Sequence, residues 1–349
     1  MPVDKVLLAE PRGFCAGVEM AIKALGWMVR IFPKPVYCYH EIVHNRLVVD
    51  HFRRAGVIFV DDVGEVPPGS PLMLSAHGSA PQVVTAAKEN GGVSVNAVCP
   101  LVTKVHHELK VRARKGYTVI YVGHVGHDEA IGTLAVAPEA SVLVETRKDV
   151  ENLPEFDTPV ALLAQTTLSH DDWADVLAAA KERFPDLWMP GRSDLCFATT
   201  NRQAALRKVA TSADAAVIVG SANSSNTVAL TKVATAMGVQ QVVRVNSPDE
   251  VPGDLEGVVA LTAGASAPDE LVNEVLQKIN PLNGTELISA TDEEEYFPPP
   301  RELRDLVGAV AVASALALGT EVSDKALNDD RSVDANTVLT SIGSVVPTS

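Results

Sequence analysis

Cysteine is scarce in this sequence of 349 residues, which has four cysteines far apart and no CxxC pair. Secreted domains build disulfide frameworks from regularly spaced cysteines, and this irregular spacing excludes one. A structural zinc site is also disfavoured, because its cysteines usually come in close pairs. The cysteine pattern therefore indicates a reducing compartment, and we expect a cytoplasmic protein.

Long apolar segments and an excess of basic residues are missing as well. The longest apolar stretch, residues 306–319, has about 14 residues and is too short to span a bilayer. Lys5, Glu10 and Arg12 interrupt the first segment, which does not resemble a secretory signal peptide. The formal net charge of −15 argues against a general nucleic-acid binder. We therefore expect neither a membrane nor a nucleic acid as a partner.

The sequence does contain a threefold repeat of about 90–100 residues, in which short apolar strands alternate with segments of helical spacing. Each third offers one cysteine turn and two polar turns, all of them directly after predicted strands. This order predicts the α/β fold class, with three pseudo-repeated α/β sub-domains. We expect them at residues 1–97, 98–193 and 194–283. Residues 284–349 then read as an acidic connector, an alanine-rich helix and a polar tail that is a candidate for disorder.

Cys15 lies on a glycine-flanked turn between a predicted strand at residues 6–9 and a predicted helix at residues 18–30. Backbone N–H groups and the dipole at a helix N-terminus favour a thiolate at such a position. Cys99 and Cys196 lie in similar turns, whereas Cys38 falls inside a predicted strand and is expected to be a core residue. Three thiolates without an obvious fourth ligand suit a [4Fe–4S] cluster whose remaining iron stays open for a substrate.

The segment from His40 to His44 matches the HExxH signature of zinc peptidases. That motif requires both histidines on one face in the middle of a helix, together with a further ligand. Here it begins directly after a predicted strand, at the first turn of the predicted helix, and no downstream ligand motif follows. We therefore do not interpret it as a peptidase site.

The polar turns are rich in side chains that bind anions. Histidines can carry partial positive charge, and hydroxyl and amide groups near helix N-termini donate hydrogen bonds to phosphate. Helix capping explains any single one of these residues, but their concentration around three cysteine turns favours an anion site. The candidates are His44, His77, His127, Ser224, Ser225, Asn226 and Ser266. Glu129, two residues after His127, is the carboxylate in these turns with a route to proton donation.

Nine motifs in order resemble those of the IspH/LytB family over residues 5–304, among them Pro-Arg-Gly-Phe-Cys-Ala-Gly-Val, Ser-Ala-His-Gly, Gln-Thr-Thr-Leu-Ser and Asn-Ser-Ser-Asn. The members of this family are 4-hydroxy-3-methylbut-2-enyl diphosphate reductases. The resemblance implies a trefoil of three α/β sub-domains around a central [4Fe–4S] cluster. It also implies reductive dehydroxylation of an allylic diphosphate to isopentenyl and dimethylallyl diphosphates, the last step of the methylerythritol phosphate route to isoprenoids.

The resemblance assigns roles by position. Cys15, Cys99 and Cys196 match the cluster ligands, and Glu129 and Thr166 match the pair that handles the substrate hydroxyl and its proton. Thr166 and the seven anion-site candidates match residues around the substrate. His40 and His124 lie in the motifs without an assigned role.

The sequence has no nicotinamide or flavin fingerprint, so electrons are expected from a ferredoxin- or flavodoxin-like partner. Arg12, Lys104 and Arg202 lie near the cysteines and could face such an acidic protein. A quinolinate synthase-like three-cysteine enzyme and an iron–sulfur redox sensor stay open as alternatives. The histidine-rich turns favour the reductase, and a sensor needs no phosphate donors.

Overall fold

Parallel strands alternate with helices along the chain and form three separate sheets. The structure is a computed structural model, and it describes residues 2–320 and 330–343. The chain divides into two compact units. The first comprises the residues up to Cys15 together with Leu101–Glu294, and the second comprises Ala16–Pro100 together with the described residues from Glu295 onward. The predicted α/β class with three α/β sub-domains is confirmed.

The strands are short, as expected for apolar runs bounded by turns. In chain order they are β1 (Val3–Glu10), β2 (Val36–Tyr39), β3 (Val57–Val60), β4 (Leu72–Leu74), β5 (Ser94–Asn96), β6 (Thr118–Val122), β7 (Ser141–Val144), β8 (Val160–Ala164), β9 (Ala215–Val219), β10 (Gln241–Val245), β11 (Gly257–Ala263) and β12 (Thr285–Ser289). Every pairing among them is parallel.

The α-helices follow the strands and carry the polar turns at their N-termini. In chain order they are α1 (Ala16–Ile31), α2 (Arg46–Arg54), α3 (Pro81–Glu89), α4 (Pro100–Arg114), α5 (Asp128–Leu134), α6 (Arg147–Glu151), α7 (His170–Arg183), α8 (Phe197–Ala210), α9 (Ser225–Ala236), α10 (Asp269–Ile279), α11 (Arg301–Leu318) and α12 (Ala335–Gly343).

The first unit contains a five-stranded sheet in the order β10-β9-β11-β1-β12 and a three-stranded sheet in the order β7-β6-β8. In the larger sheet, Val6 of β1 pairs with Val259 on one side and with Thr285 on the other. Apolar side chains cover both faces of this sheet, so β9 is buried along its whole length. The predicted first sub-domain, residues 1–97, thus contributes its first strand to a sheet made mostly by the third.

The second unit contains a four-stranded sheet in the order β3-β2-β4-β5. Cys38 lies in β2 and is fully buried, so the core position predicted for it is confirmed. Helix α12 packs on α1 and α2. The Glu19 carboxylate accepts from the N–H of Ala335 at 2.9 Å, and Lys23 Nζ lies 3.1 Å from the Asp330 carboxylate.

Several elements differ from the sequence expectations. Helix α2 begins at Arg46, where Asn45 caps it, so the HExxH segment precedes the helix and does not form its first turn. Strand β12 and helix α12 both lie in the region predicted as connector and tail. The polar end predicted from Glu321 lies largely outside the described residues. Over residues 2–320 and 330–343, no helix is long and apolar enough to cross a membrane.

Candidate active site

Cys15 lies on the turn between β1 and α1, and the turn after β11 holds it in place. The Cys15 N–H donates to the carbonyl of Ala265 at 3.1 Å, and the Gly13 N–H donates to the carbonyl of Ala263 at 3.3 Å. Gly13 has a φ of +67°, and a Cβ atom there would come within 3.1 Å of the Ala267 carbonyl. The turn therefore requires glycine at this position.

Cys196 is the N-cap residue of α8 in the same unit. The prediction that its turn follows a strand is wrong, because the element before α8 is helix α7. Its Sγ accepts the backbone N–H of Thr199 at 3.2 Å and lies 3.0 Å from the Thr199 hydroxyl. Burial, and after it the charge of Cys15, raises the pKa of the Cys196 thiol to about 12. Cys15 and Cys196 both belong to the first unit, and they lie near enough for the charge of Cys15 to raise the pKa of Cys196.

Arg202 ties α8 to the Cys15 turn. Its guanidinium donates to the carbonyls of Gly13 (2.8 and 3.0 Å) and Phe14 (3.0 Å), and it pairs with Glu293 at 3.0 Å. The side chain is only 1% exposed. The expectation that Arg202 faces an electron-donor protein is therefore wrong, because its charge is used inside the unit.

Lys104 is also engaged within the first unit. Its ammonium donates to the carbonyls of Arg192 and Ser193, both at 3.2 Å, and to the Asp194 carboxylate at 3.1 Å. It links α4 to the segment that leads into Cys196.

Cys99 lies in the second unit, on the turn between β5 and α4. Its N–H donates to the carbonyl of Ala76 at 3.0 Å, directly beside His77 in the chain. The rings of His77 and His44 stack with centroids 3.8 Å apart and an interplanar angle of 11°. Nδ1 of His44 lies 3.4 Å from the Glu41 carboxylate. The second unit therefore holds the third cysteine turn and two of the predicted histidines.

The chemistry of Cys15 and Cys196 in the first unit fits an iron–sulfur centre. All four cysteines are described, and no disulfide joins any of them. Burying the Cys196 thiolate near Cys15 is unfavourable by itself, since desolvation and like charge both raise the pKa. Iron binds thiolates and compensates their charge, which removes this penalty. Cys38, in contrast, is enclosed in a strand, where burial alone raises the pKa of its thiol.

Glu129 and Thr166 form a buried pair, as the resemblance implies. One oxygen of Glu129 accepts the Thr166 N–H at 2.7 Å, and the other accepts the Thr166 hydroxyl at 3.0 Å. Burial raises the pKa of Glu129 to about 7, the bonds from Thr166 lower it, and the charge of Asp194 raises it. The N–H of Cys196 donates to the carbonyl of Thr166 at 2.9 Å. Thr166 therefore joins a titratable carboxyl group to a cysteine turn.

His127 is the N-cap residue of α5, and its Nδ1 accepts the backbone N–H of Glu129 at 3.1 Å. An accepting Nδ1 carries no proton, so Nε2 is the donor nitrogen of the neutral ring. His127 can therefore donate to an anion while its other nitrogen caps the helix.

The N-terminus of α9 carries three predicted residues of the anion site. Ser224 caps the helix by accepting from the Thr227 N–H at 3.4 Å. The Ser225 hydroxyl lies 3.0 Å from Gln165 Nε2 and 3.3 Å from His124 Nδ1. Asn226 follows, and the fourth predicted residue, Ser266, lies on the turn after β11. All four belong to the first unit and are nearly buried.

Two residues at this site were not singled out from the sequence. Gln165 is fully buried, accepts the His124 N–H at 2.9 Å and donates to Thr167 and Ser225, each at 3.0 Å. Thr199 contacts the sulfur of Cys196 as described above. The sequence position of Thr199 could have predicted this contact. Thr199 follows the N-cap residue Cys196 by three residues, and the backbone N–H at that position faces the capping side chain.

The comparisons with known proteins agree with this geometry. The family model "LytB protein" matches residues 6–280. A "4-hydroxy-3-methylbut-2-enyl diphosphate reductase" of Rhodopirellula baltica is 44% identical over 316 residues, covering 88% of this chain and 98% of that protein. A protein of the same name from Leifsonia xyli subsp. xyli is 43% identical, covering 87% and 92%.

A solved structure is similar as well. It is that of the E-1-hydroxy-2-methyl-but-2-enyl-4-diphosphate reductase from Plasmodium falciparum, with a TM-score of 0.85 and 32% identity over 88% of this chain and 99% of that chain. Together with the family model and the curated relatives, this likeness shows that the chain belongs to the LytB family.

Proposed function

We propose that this chain is a 4-hydroxy-3-methylbut-2-enyl diphosphate reductase that uses a [4Fe–4S] cluster. The reaction takes up two electrons and two protons, breaks the allylic C–O bond and releases water, giving isopentenyl or dimethylallyl diphosphate. The observation that carries the proposal is the position of Thr166, which contacts both a carboxyl group with a pKa of about 7 and the Cys196 turn. The proposed proton donor and the Cys196 turn are thereby linked through hydrogen bonds to Thr166.

Cys15, Cys99 and Cys196 would hold the cluster. When bound, the cluster supplies the electrons and, through its iron without a cysteine ligand, a Lewis acid for the substrate hydroxyl. The donor set supports this, because Cys15 and Cys99 lie at strand-to-helix turns, Cys196 caps α8, and none of the three forms a disulfide.

Glu129 and Thr166 would supply a proton to the leaving hydroxyl. The Glu129 oxygen that faces the Thr166 N–H is occupied by that donor, so the carboxyl proton belongs on the oxygen that faces the Thr166 hydroxyl. From there Glu129 donates to Thr166 Oγ1, and the threonine proton is turned towards the substrate. The hydroxyl leaves as water, and Glu129 takes up a new proton before the next turnover.

Histidine, hydroxyl and amide groups would bind the diphosphate. His127 offers Nε2–H, and Ser224, Ser225 and Asn226 form the N-terminus of α9, where backbone N–H groups favour an anion. Ser266 lies in the same unit, and the stacked pair His44 and His77 lies in the second. Cations and hydroxyl donors of this kind recognise phosphate oxygens without a lysine.

The electrons would come from a ferredoxin- or flavodoxin-like protein of the cytoplasm, since the chain contains no fingerprint for a nicotinamide or a flavin. The relatives compared above carry the reductase name and not that of a quinolinate synthase.

Anaerobic purification with iron and sulfide analysis, followed by titration with the diphosphate substrate, tests the proposal. We expect about four irons and four sulfides per chain and a substrate-dependent change in the cluster spectrum. Cys15→Ala, Cys99→Ala and Cys196→Ala should each abolish the cluster absorbance. Cys38→Ala is the matched control and should keep it, because Cys38 lies in the core of a strand.

Two results would contradict the proposal. A cluster that survives Cys99→Ala, or is lost in Cys38→Ala, would show that the ligands are assigned wrongly. A spectrum that does not respond to the substrate would favour a redox sensor.

A further inference from the structure

A continuous chain of hydrogen bonds runs from the Cys15 turn to the sulfur of Cys196. The Cys15 N–H donates to the carbonyl of Ala265, and the Ala265 N–H donates to Asn226 Oδ1 at 2.9 Å. Asn226 Nδ2 donates to Thr199 Oγ1 at 3.2 Å, and Thr199 Oγ1 lies 3.0 Å from Cys196 Sγ. Asn226 and Thr199 are 3% and 0% exposed, so both ends of the amide are used inside the protein.

The backbone fixes the direction of every hydrogen bond in this chain. The Ala265 N–H can only donate, so the oxygen of the Asn226 amide must face it and the NH₂ group must face Thr199. Thr199 Oγ1 then accepts from Asn226. Its single proton is left for the remaining partner, which is the sulfur of Cys196.

We propose that Thr199 is a positioning residue whose hydroxyl donates a hydrogen bond to the Cys196 sulfur, and that Asn226 orients this hydroxyl. The inference rests on the proposed function, because it takes Cys196 to be a cluster ligand. Hydrogen bonds to ligand sulfurs stabilise the more negative, reduced form of a cluster and so raise its reduction potential. Thr199 would therefore set how easily the cluster accepts electrons, without contacting the substrate.

The neighbouring residue provides a matched control. Thr200 is also a threonine in the first turn of α8, but its hydroxyl donates to the backbone carbonyls of Phe197 at 2.9 Å and Cys196 at 3.4 Å. Thr200→Val removes the same hydroxyl from the same helix without touching a sulfur.

The test is the midpoint potential of the cluster, measured by anaerobic redox titration of the full-length protein with optical and EPR detection. We expect Thr199→Val to disfavour reduction by about tenfold, a negative shift of about 59 mV for one electron. Thr199→Ser, which keeps the hydroxyl, should return to the wild-type potential, and Thr200→Val should not differ from wild type.

An unchanged potential in Thr199→Val, at wild-type iron content, would overturn the inference, as would an equal shift in Thr200→Val. If Thr199→Val takes up no cluster, loading and potential must both return in Thr199→Ser, and failure of that rescue would overturn it too. Wild-type protein without a cluster would instead contradict the proposed function, so the two failures are distinguishable.

Discussion

Opposing effects set the protonation of the Glu129 side chain. Loss of water raises its pKa, while the two hydrogen bonds from Thr166 lower it, and the result is about 7. A carboxyl group exposed to solvent would be almost fully ionised at neutral pH. Glu129 is therefore populated in both forms there, as a group that gives and regains a proton in each turnover must be.

Turnover should decrease as the pH rises, as expected for a reaction that requires a protonated acid. Glu129 is protonated below its pKa of about 7, so the rate should be level at lower pH and fall about tenfold per pH unit above it. Single-turnover rates of the reduced enzyme on either side of this pKa measure the profile.

Glu129→Gln keeps the shape of the side chain and removes the exchangeable proton, so it is the control. We expect turnover to fall by about 10² to 10⁴ and its dependence on pH to disappear, with substrate binding and cluster spectrum retained. A variant that turns over at the wild-type rate would show that another group delivers the proton.

The sequence predicted this pair by motif and assigned Asn226 to the anion site, but it could not predict the hydrogen bonds that the Asn226 side chain makes inside the protein. A single asparagine near a helix N-terminus can bind an anion, or it can form hydrogen bonds to other groups of the protein. The sequence does not distinguish these two roles. The hydrogen bonds of the Asn226 side chain are made to Ala265 and Thr199, which lie in distant parts of the sequence. Contacts of this kind are set by packing, and a local pattern does not contain them.

At the scale of elements, α12 packs closely on α1 because Gly26 has no side chain. A Cβ atom at Gly26 would clash with Cγ1 of Val338. The β-branched valine cannot rotate away without leaving its preferred rotamer. The close approach of these two helices therefore depends on one glycine.

Gly26→Ala should weaken the packing of α12 on α1. We expect the free energy of unfolding to fall by about 1–2 kcal/mol, because the cost of overpacking exceeds the gain in helix propensity from glycine to alanine. Denaturant unfolding followed by circular dichroism measures it. Gly308→Ala in α11 is the control, since a Cβ atom there meets nothing within 4 Å. That variant should be neutral or stabilised by up to about 1 kcal/mol, and equal destabilisation of both variants would refute the packing argument.

The sequence predicted the central strands better than the edge strands. Strand β8 lies at an edge of its sheet, but its sequence still predicts a strand at residues 160–164, because all five residues are apolar and buried. Strands β3, β7, β10 and β12 were not predicted, and each lies at the edge of its sheet. These four strands are partly exposed, and β7, β10 and β12 also contain polar residues, which weakens their local pattern. Strand β12, with only Ile288 partly covered, shows this most clearly.

At the scale of the whole molecule, the C-terminal segment extends beyond the residues that the family model matches, which end at 280. In the second unit this segment supplies Asp330 to the buried ammonium of Lys23, and four apolar side chains of α12. They are Ala335, Val338, Leu339 and Ile342. The segment therefore stabilises a unit that contains Cys99, without supplying a residue of the proposed site.

Deletion of residues 320–349 should lower the free energy of unfolding by about 3–5 kcal/mol, because α1 and α2 lose the apolar side chains of α12 and Lys23 loses Asp330. Urea unfolding of the full-length and shortened proteins measures the difference. Cluster absorbance per chain at low temperature should not change. A shortened chain as stable as the full one would mean that the segment contributes nothing to stability.

Strand β1 also has a consequence for the synthesis of the chain. It is synthesised before the other described strands, but its two neighbours in the sheet are β11 and β12. They follow roughly 250 residues later, which at 5–20 residues per second is a delay on the order of 10–50 s. During this time the apolar residues 6–9 have two unpaired edges, which is a template for pairing with another nascent chain. Productive folding of the first unit therefore depends on shielding β1 until β11 and β12 have been synthesised.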